Sequence, residues 1–218
     1  MIRTIIFDFD GVILESAAVK TKAFKMLFED DYPNKVEEIT GYHLQNMGVS
    51  RYLKFQYIYE TILNLPLSTE KERELGERFS ALVLDEILKA SFVTGALEFL
   101  ENNSDKYDMF IASGTPENEL HHILKQRDIA HFFAEAHGSP KHKHMIISDI
   151  MRQYDLNQQE IVFVGDADSD RRAAEQTGIA FIARLNEENR NSLKECKWKV
   201  DDLTELSSAI KKVEDCLQ

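Results

Sequence analysis

Only two cysteines, Cys196 and Cys216, occur among 218 residues. Both lie near the C-terminus, so the chain is no disulfide scaffold and the two thiols are read as free. Histidines and cysteines show no ligand spacing, which argues against zinc, and His142 and His144 in PKHKH read as exposed residues at a helix start. Long apolar runs are missing as well. The N-terminal MIRTIIFDFD is broken by acids too early for a signal peptide or a membrane span, and the expectation is a cytoplasmic protein. Basic runs are also absent: with 26 Lys and Arg against 38 Asp and Glu, the formal net charge is −12. That field excludes broad binding to nucleic acid or to an anionic membrane, and an anionic substrate must find a local positive site. No Gly/Ser/Pro-rich linker, internal repeat or low-complexity tract divides the chain.

What is present is apolar material for a large core, 43% of the residues. Short runs rich in Ile, Val and Phe recur as RTIIFDF (3–9), DMFIAS (108–113), EIVFVG (160–165) and IAFIAR (179–184), with helix-period segments between the later ones. This alternation predicts an α/β fold with a doubly wound, Rossmann-like parallel sheet buried on both faces. Thr115-Pro116-Glu117 reads as a helix start, with Thr115 as N-cap and Pro116 in the first helical position. Residues from about 15 to 90 break the rhythm with helix-like patterns such as AFKMLFED and RYLKFQYIYETIL. The expected organisation is a core of residues 1–14 and 91–218 with a helical domain, 15–90, inserted through two short connections.

The polar residues fall where the predicted strands end. Asp8 and Asp10 follow the first strand, Ser113-Gly114-Thr115 the second, and Gly165-Asp166-Ala167-Asp168-Ser169-Asp170 the third. In open parallel sheets ligands bind beyond these carboxyl ends. Strand residues two apart share a face, so a strand continued to Asp10 would crowd Asp8 and Asp10 and raise both pKa values. Acids gathered on one rim need a cation. A hard, oxygen-ligated ion meets that need, and Mg²⁺ fits better than Ca²⁺ because water and a phosphate can complete its octahedron.

At this point the chain resembles the haloacid dehalogenase-like superfamily of phosphatases, with a helical cap of the type inserted after the first motif. DFDGV is similar to its DxDGx motif, IASGT to its strand-end Ser/Thr motif, and VGDADSDRRAAEQTGI to its GDxxxDxxAAxxxG motif. The resemblance implies Asp8 as nucleophile, forming an aspartyl-phosphate, and Asp10 as general acid and then base. It implies Mg²⁺ held by Asp8, the main-chain carbonyl of Asp10, and Asp166, with Asp170 one layer behind. Ser113 and neighbouring N–H groups, including that of Gly114, would bind the phosphoryl oxygens. The motif-three lysine is either Lys141 or Lys143; Lys143 is preferred because His142, not Pro, follows Lys141.

Within the insertion, GVSR resembles the substrate-facing cap loop of sugar-phosphate mutases, which makes Arg51 the first candidate for a substrate contact, followed by Lys54 and His43. Tyr52, Phe55 and Tyr59 read as packing residues. Glu15 stands where many relatives have Asp, and Lys20 where the mutases have His. Motif four opens Gly-Asp where those mutases have Glu-Asp. These last two departures favour a hydrolase of a small phosphorylated metabolite, a sugar phosphate or phosphoglycolate, over a phosphomutase or phosphotransferase. An acid at position 10 argues against a dehalogenase, and the insertion against a phospho-Asp receiver. The expected state is a monomer or weak homodimer.

Overall fold

The apolar runs become strands because they can be covered on both faces. In the computed structural model, which describes residues 1–217, six strands form one sheet. They are β1 (Thr4–Phe7), β2 (Asp108–Pro116), β3 (Glu135–Ser139), β4 (Ile161–Gly165), β5 (Ala180–Arg184) and β6 (Trp198–Val200). All pairs are parallel, in the order β3-β2-β1-β4-β5-β6. β1 lies between β2 and β4, with Phe7 opposite Ile111 on one side and Val164 on the other. The chain winds outward in both directions from this point, and a crevice opens at such a switch beyond the strand ends.

Alternate strand residues feed two cores. Ile5, Phe7 and Ile111 pack with helices α5 (Ala96–Asn103), α6 (Glu117–Gln126) and α10 (Leu206–Leu217). Ile6, Phe110 and Phe163 pack on the opposite face with α7 (Lys143–Gln153) and α8 (Asp168–Thr177). A short helix, α9 (Arg190–Leu193), follows β5. The outer strands β3 and β6 were not among the four apolar runs. Their sequences, EAHGS and WKV, lie at the sheet edges and need less apolar cover. β2 also runs three residues beyond the expected end, through Pro116. Thr115 is therefore a strand residue, not the cap of α6, and its hydroxyl is used elsewhere.

Between β1 and α5 the chain forms α1 (Ala17–Glu29), α2 (Val36–Gln45), α3 (Arg51–Tyr57) and α4 (Thr69–Lys89), with a π-helical turn Ile58–Leu63 after α3. Their shared centre is aromatic. Phe24 lies 4.8 Å from Phe79 and 5.7 Å from Phe55, between ring centroids, and all three are buried. Tyr59 is buried too, while Tyr52 is half-buried against the same cluster. The two chain crossings run side by side, Val93 N–H donating to Ile13 O at 3.0 Å and Glu15 N–H to Ser91 O at 2.9 Å. No helix among the described residues is long and apolar enough to cross a membrane.

Phe79 is enclosed by two other rings, so Phe79→Ala leaves a cavity that helices tied at both ends cannot collapse. The expected loss is ~3–5 kcal/mol, measured by urea unfolding followed by circular dichroism. A loss below ~1 kcal/mol, the scale of a surface substitution, would contradict a tightly packed aromatic centre.

Candidate active site

β1 ends at Phe7, so Asp8 and Asp10 lie in the turn beyond it and not on one strand face. Asp8 is held in line with the sheet by its N–H, which donates to Val164 O at 2.9 Å. The chain then turns sharply at Gly11, whose φ is +80°. A Cβ there would sit 2.0 Å from Asp166 Oδ2, so glycine permits both the turn and the approach of the acid.

The turn separates the two acids, and each has its own lysine. Asp10 accepts hydrogen bonds from Ser16 Oγ (2.6 Å), Thr115 Oγ1 (2.8 Å) and the Lys20 ammonium. Burial pushes its pKa up, but Lys20 and the two hydroxyls outweigh this and hold it below the usual carboxylate value. The sequence argument expected repulsion from Asp8 to raise it; the pairing with Lys20 reverses that sign. The pKa of Asp8 rises as expected, from 3.8 to about 7, but the main cause is burial, with Lys143 opposing and Asp170 and then Asp10 adding to the rise.

Lys143, in the first turn of α7, is buried with its Nζ 2.9 Å from Asp8 Oδ1 and 2.5 Å from Asp170 Oδ1. Burial works against its charge, yet the two carboxylates prevail and its pKa is raised. Lys141 lies at the surface, paired with Asp149. Asp170 also accepts from Ala167 N–H at 3.0 Å, so both its oxygens are engaged. Asp168 turns away to Arg171 and Arg172.

Asp8, Asp166 and Asp170 each place a carboxylate oxygen within 4.8 Å of the others. Asp8 Oδ1 and Asp166 Oδ2 are buried without a hydrogen-bond partner, the Lys143 contact to Asp8 being an ion pair only. Burial, then the neighbouring Asp8 and Asp170, raise the pKa of Asp166 well above normal. Buried carboxylate oxygens left unpaired among other acids fit a hard divalent cation.

Above these acids lies a cavity of about 50 Å³, lined by core residues including Gly114 and by Lys20, His43, Arg51 and Lys54 of the helical insertion. Ser113 is fully buried, its Oγ accepting from Thr115 N–H at 3.1 Å. A Cβ on Gly114 would meet Gly48 O at 2.5 Å, so insertion and core touch here. Arg51 lines the cavity, but its fork is occupied: it donates to Glu119 Oε1 (3.1 Å) and Oε2 (2.6 Å) on α6 and to Ser80 Oγ (2.8 Å) on α4. His43 and Lys54 are buried beside each other, His43 Nδ1 lying 3.1 Å from Lys54 Nζ.

Several residues that shape the site were not singled out for it. Ser16 and Thr115 hold Asp10, Glu119 holds Arg51, and buried Asn189 donates to Asp166 O at 2.7 Å. Lys20 was noted only as a departure, yet it bonds both Asp10 and Thr115. Glu15 pairs with buried Arg184 at the end of β5. These partners are distant in sequence, and only the short step from Asp10 to Ser16 offered a local signal.

Residues 5–184 match the family model described as haloacid dehalogenase-like hydrolase. The chain belongs to that family. It is 25% identical over 198 residues to a phosphoglycolate phosphatase of Aliivibrio fischeri, covering 84% of this chain and 83% of the relative. It is 23% identical over 188 residues to a phosphorylated carbohydrates phosphatase of Thermotoga maritima, covering 83% of each. Among solved structures it resembles a beta-phosphoglucomutase from Clostridium difficile, with a TM-score of 0.78, 20% identity, and coverage of 99% of this chain and 98% of that one.

The raised pKa values predict how a divalent cation and pH act together. Asp8 titrates near its ordinary value when unfolded and at about 7 when folded. Its contribution to stability is thus fully present below ~4 and lost as pH rises towards 7. A cation competes with those protons, so added MgCl₂ should raise Tm little at pH 5 and most at pH 8, read by differential scanning fluorimetry. Asp166→Asn should flatten that difference; an equal shift at both pH values would contradict the coupling.

Proposed function

We propose that the protein is a Mg²⁺-dependent phosphomonoesterase that hydrolyses a small phosphorylated metabolite through an aspartyl-phosphate on Asp8. The observation that carries this reading is the placement of Lys143 between Asp8, which lines the cavity, and Asp170, with Asp10 turned aside onto its own lysine. The activities named for the two relatives, on phosphoglycolate and phosphorylated carbohydrates, support a small phosphorylated substrate. Residues 15–90 would then serve as the cap that closes over it.

Asp8, the main-chain carbonyl of Asp10, and Asp166 would hold Mg²⁺, which when bound neutralises carboxylate and phosphoryl charge. Asp8 attacks phosphorus, and the bond to the ester oxygen breaks as that oxygen takes a proton from Asp10. Lys20 favours the ionised form of Asp10, and a phosphate dianion arriving beside it would raise its proton affinity, so that Asp10 takes a proton from solvent before it serves as the acid. A water then gives its proton to Asp10 and attacks the aspartyl-phosphate, freeing Asp8 and releasing inorganic phosphate. Lys143 and the N–H groups around Ser113 and Gly114 would meet the charge on the phosphoryl oxygens. Asp170, bonded at both oxygens, positions Lys143. Lys20 and the Gly165-Asp166 pair stand where the mutases differ, which favours water over a sugar acceptor.

The test is hydrolysis of p-nitrophenyl phosphate. Asp8→Asn fills the same volume with a poor nucleophile and should abolish turnover while far-UV circular dichroism stays unchanged. Lys143→Ala should lower kcat/KM by about 10²-fold or more, since a buried ammonium on the reacting group stabilises developing charge, whereas Lys141→Ala should stay within about a few-fold. Turnover by Asp8→Asn at the wild-type rate would sink the covalent mechanism. A larger loss from Lys141→Ala than from Lys143→Ala would sink the lysine assignment.

A further inference from the structure

Three cationic side chains line the cavity, Lys20, Arg51 and Lys54, and a fourth, Lys143, pairs with its lining residue Asp8; three of the four are matched by acids. Lys143 lies between Asp8 and Asp170, Lys20 is on Asp10, and Arg51 is on Glu119. Lys54 differs: among the described residues no carboxylate pairs with it, although it is only 3% exposed. Its Nζ faces His43 Nδ1 at 3.1 Å and lies 5.2 Å from the centroid of the Phe24 ring. A charged amine buried without a counter-ion is unfavourable, and an anion entering the cavity relieves it.

We propose that Lys54 reads a second anionic group on the substrate, so that the enzyme selects short-chain phosphomonoesters that carry a carboxylate. This rests on the phosphatase reading above and narrows its substrate class. Arg51, the candidate favoured by sequence, is spent on the contact between insertion and core and leaves this task to the residue one helical turn further along α3. A second phosphate offers similar chemistry. A single buried ammonium balances the one charge of a carboxylate but leaves half the charge of a phosphate dianion unanswered, which favours the carboxylate.

His43 makes the arrangement usable. Burial, then Lys54 and Lys20, lower its pKa to about 2, so the imidazole is neutral. In the tautomer with the proton on Nε2, that N–H donates to Thr21 Oγ1 at 3.3 Å and Nδ1 is left to accept from Lys54. The ring thus orients the amine without competing for an anion. Burial first, and then the cations Lys20 and Lys143, lower the proton affinity of Lys54 itself, with Asp10 opposing. A carboxylate beside it would reverse that balance, so binding should draw a proton from solution.

Binding can be separated from turnover in Asp8→Asn, titrated by calorimetry with MgCl₂ present. 2-Phosphoglycolate should bind about tenfold or more tightly than 2-hydroxyethyl phosphate, its neutral counterpart. Adding Lys54→Met should remove that difference, and Lys54→Arg should keep part of it. Equal affinities for the two esters, or a difference that survives Lys54→Met, would overturn the proposal. Tighter binding of ethylene glycol bisphosphate than of 2-phosphoglycolate would overturn the carboxylate assignment. Failure of the phosphatase reading shows separately, as absence of p-nitrophenyl phosphate turnover by the wild-type protein.

Discussion

The site depends on one costly arrangement: Asp8 beyond the end of β1, Asp166 beyond the end of β4 and Asp170 in the first turn of α8 are buried together, with a single ammonium, Lys143, among them. Desolvation alone would drive such acids to protonate. Much of the neighbouring structure serves to keep them in place. Gly11 lets the turn after β1 approach Asp166, and a Cβ on Gly165 would stand 2.4 Å from that of Asp170. The N–H of Ala167 fixes one oxygen of Asp170, so the other is aimed at Lys143. Because β1 and β4 are adjacent and parallel, their ends deliver these acids to one point without any long loop.

A second layer of contacts brings the helical insertion down onto that point. Ser169 Oγ donates to Met47 O at 2.9 Å, Lys20 reaches Thr115, and Arg51 bridges to Glu119. Each joins the insertion to the carboxyl end of a sheet strand or to the helix that follows one. The same contacts therefore close the cavity and position Asp10, since Lys20 and Thr115 both bond it. Closure strengthens every charge interaction within, because less water screens it.

The central strands were legible because burial on both faces demands uninterrupted apolar residues, as in IIF and IVFV. β3 and β6 were not, because an edge strand has one neighbour and tolerates EAHGS or WKV. The acids were legible from their position after apolar runs, while spacing alone left Lys141 and Lys143 both open and only the His142 that follows Lys141 tipped the choice to Lys143. The partner of each charge was not. Asp10 and Lys20 are ten residues apart, Arg51 and Glu119 sixty-eight, and no periodicity links them. The expected sign of the Asp10 shift failed for this reason: its nearest acid was visible in sequence, but its nearest cation was not.

Counting charge at the site shows how chemistry and selectivity are divided. Asp8, Asp10, Asp166 and Asp170 face Lys143 and Lys20, which leaves two negative charges when all are ionised. On the proposed reading a divalent cation would balance those two. A phosphate dianion would on that reading bring two more, to be met by the N–H groups around Ser113 and Gly114, with Lys143 shared between it and the acids. Arg51 and Glu119 cancel each other and stay outside this balance. The amine of Lys54 has no carboxylate partner among the described residues, so on the proposal above it is the group through which the rest of the substrate, beyond its phosphate, would be distinguished.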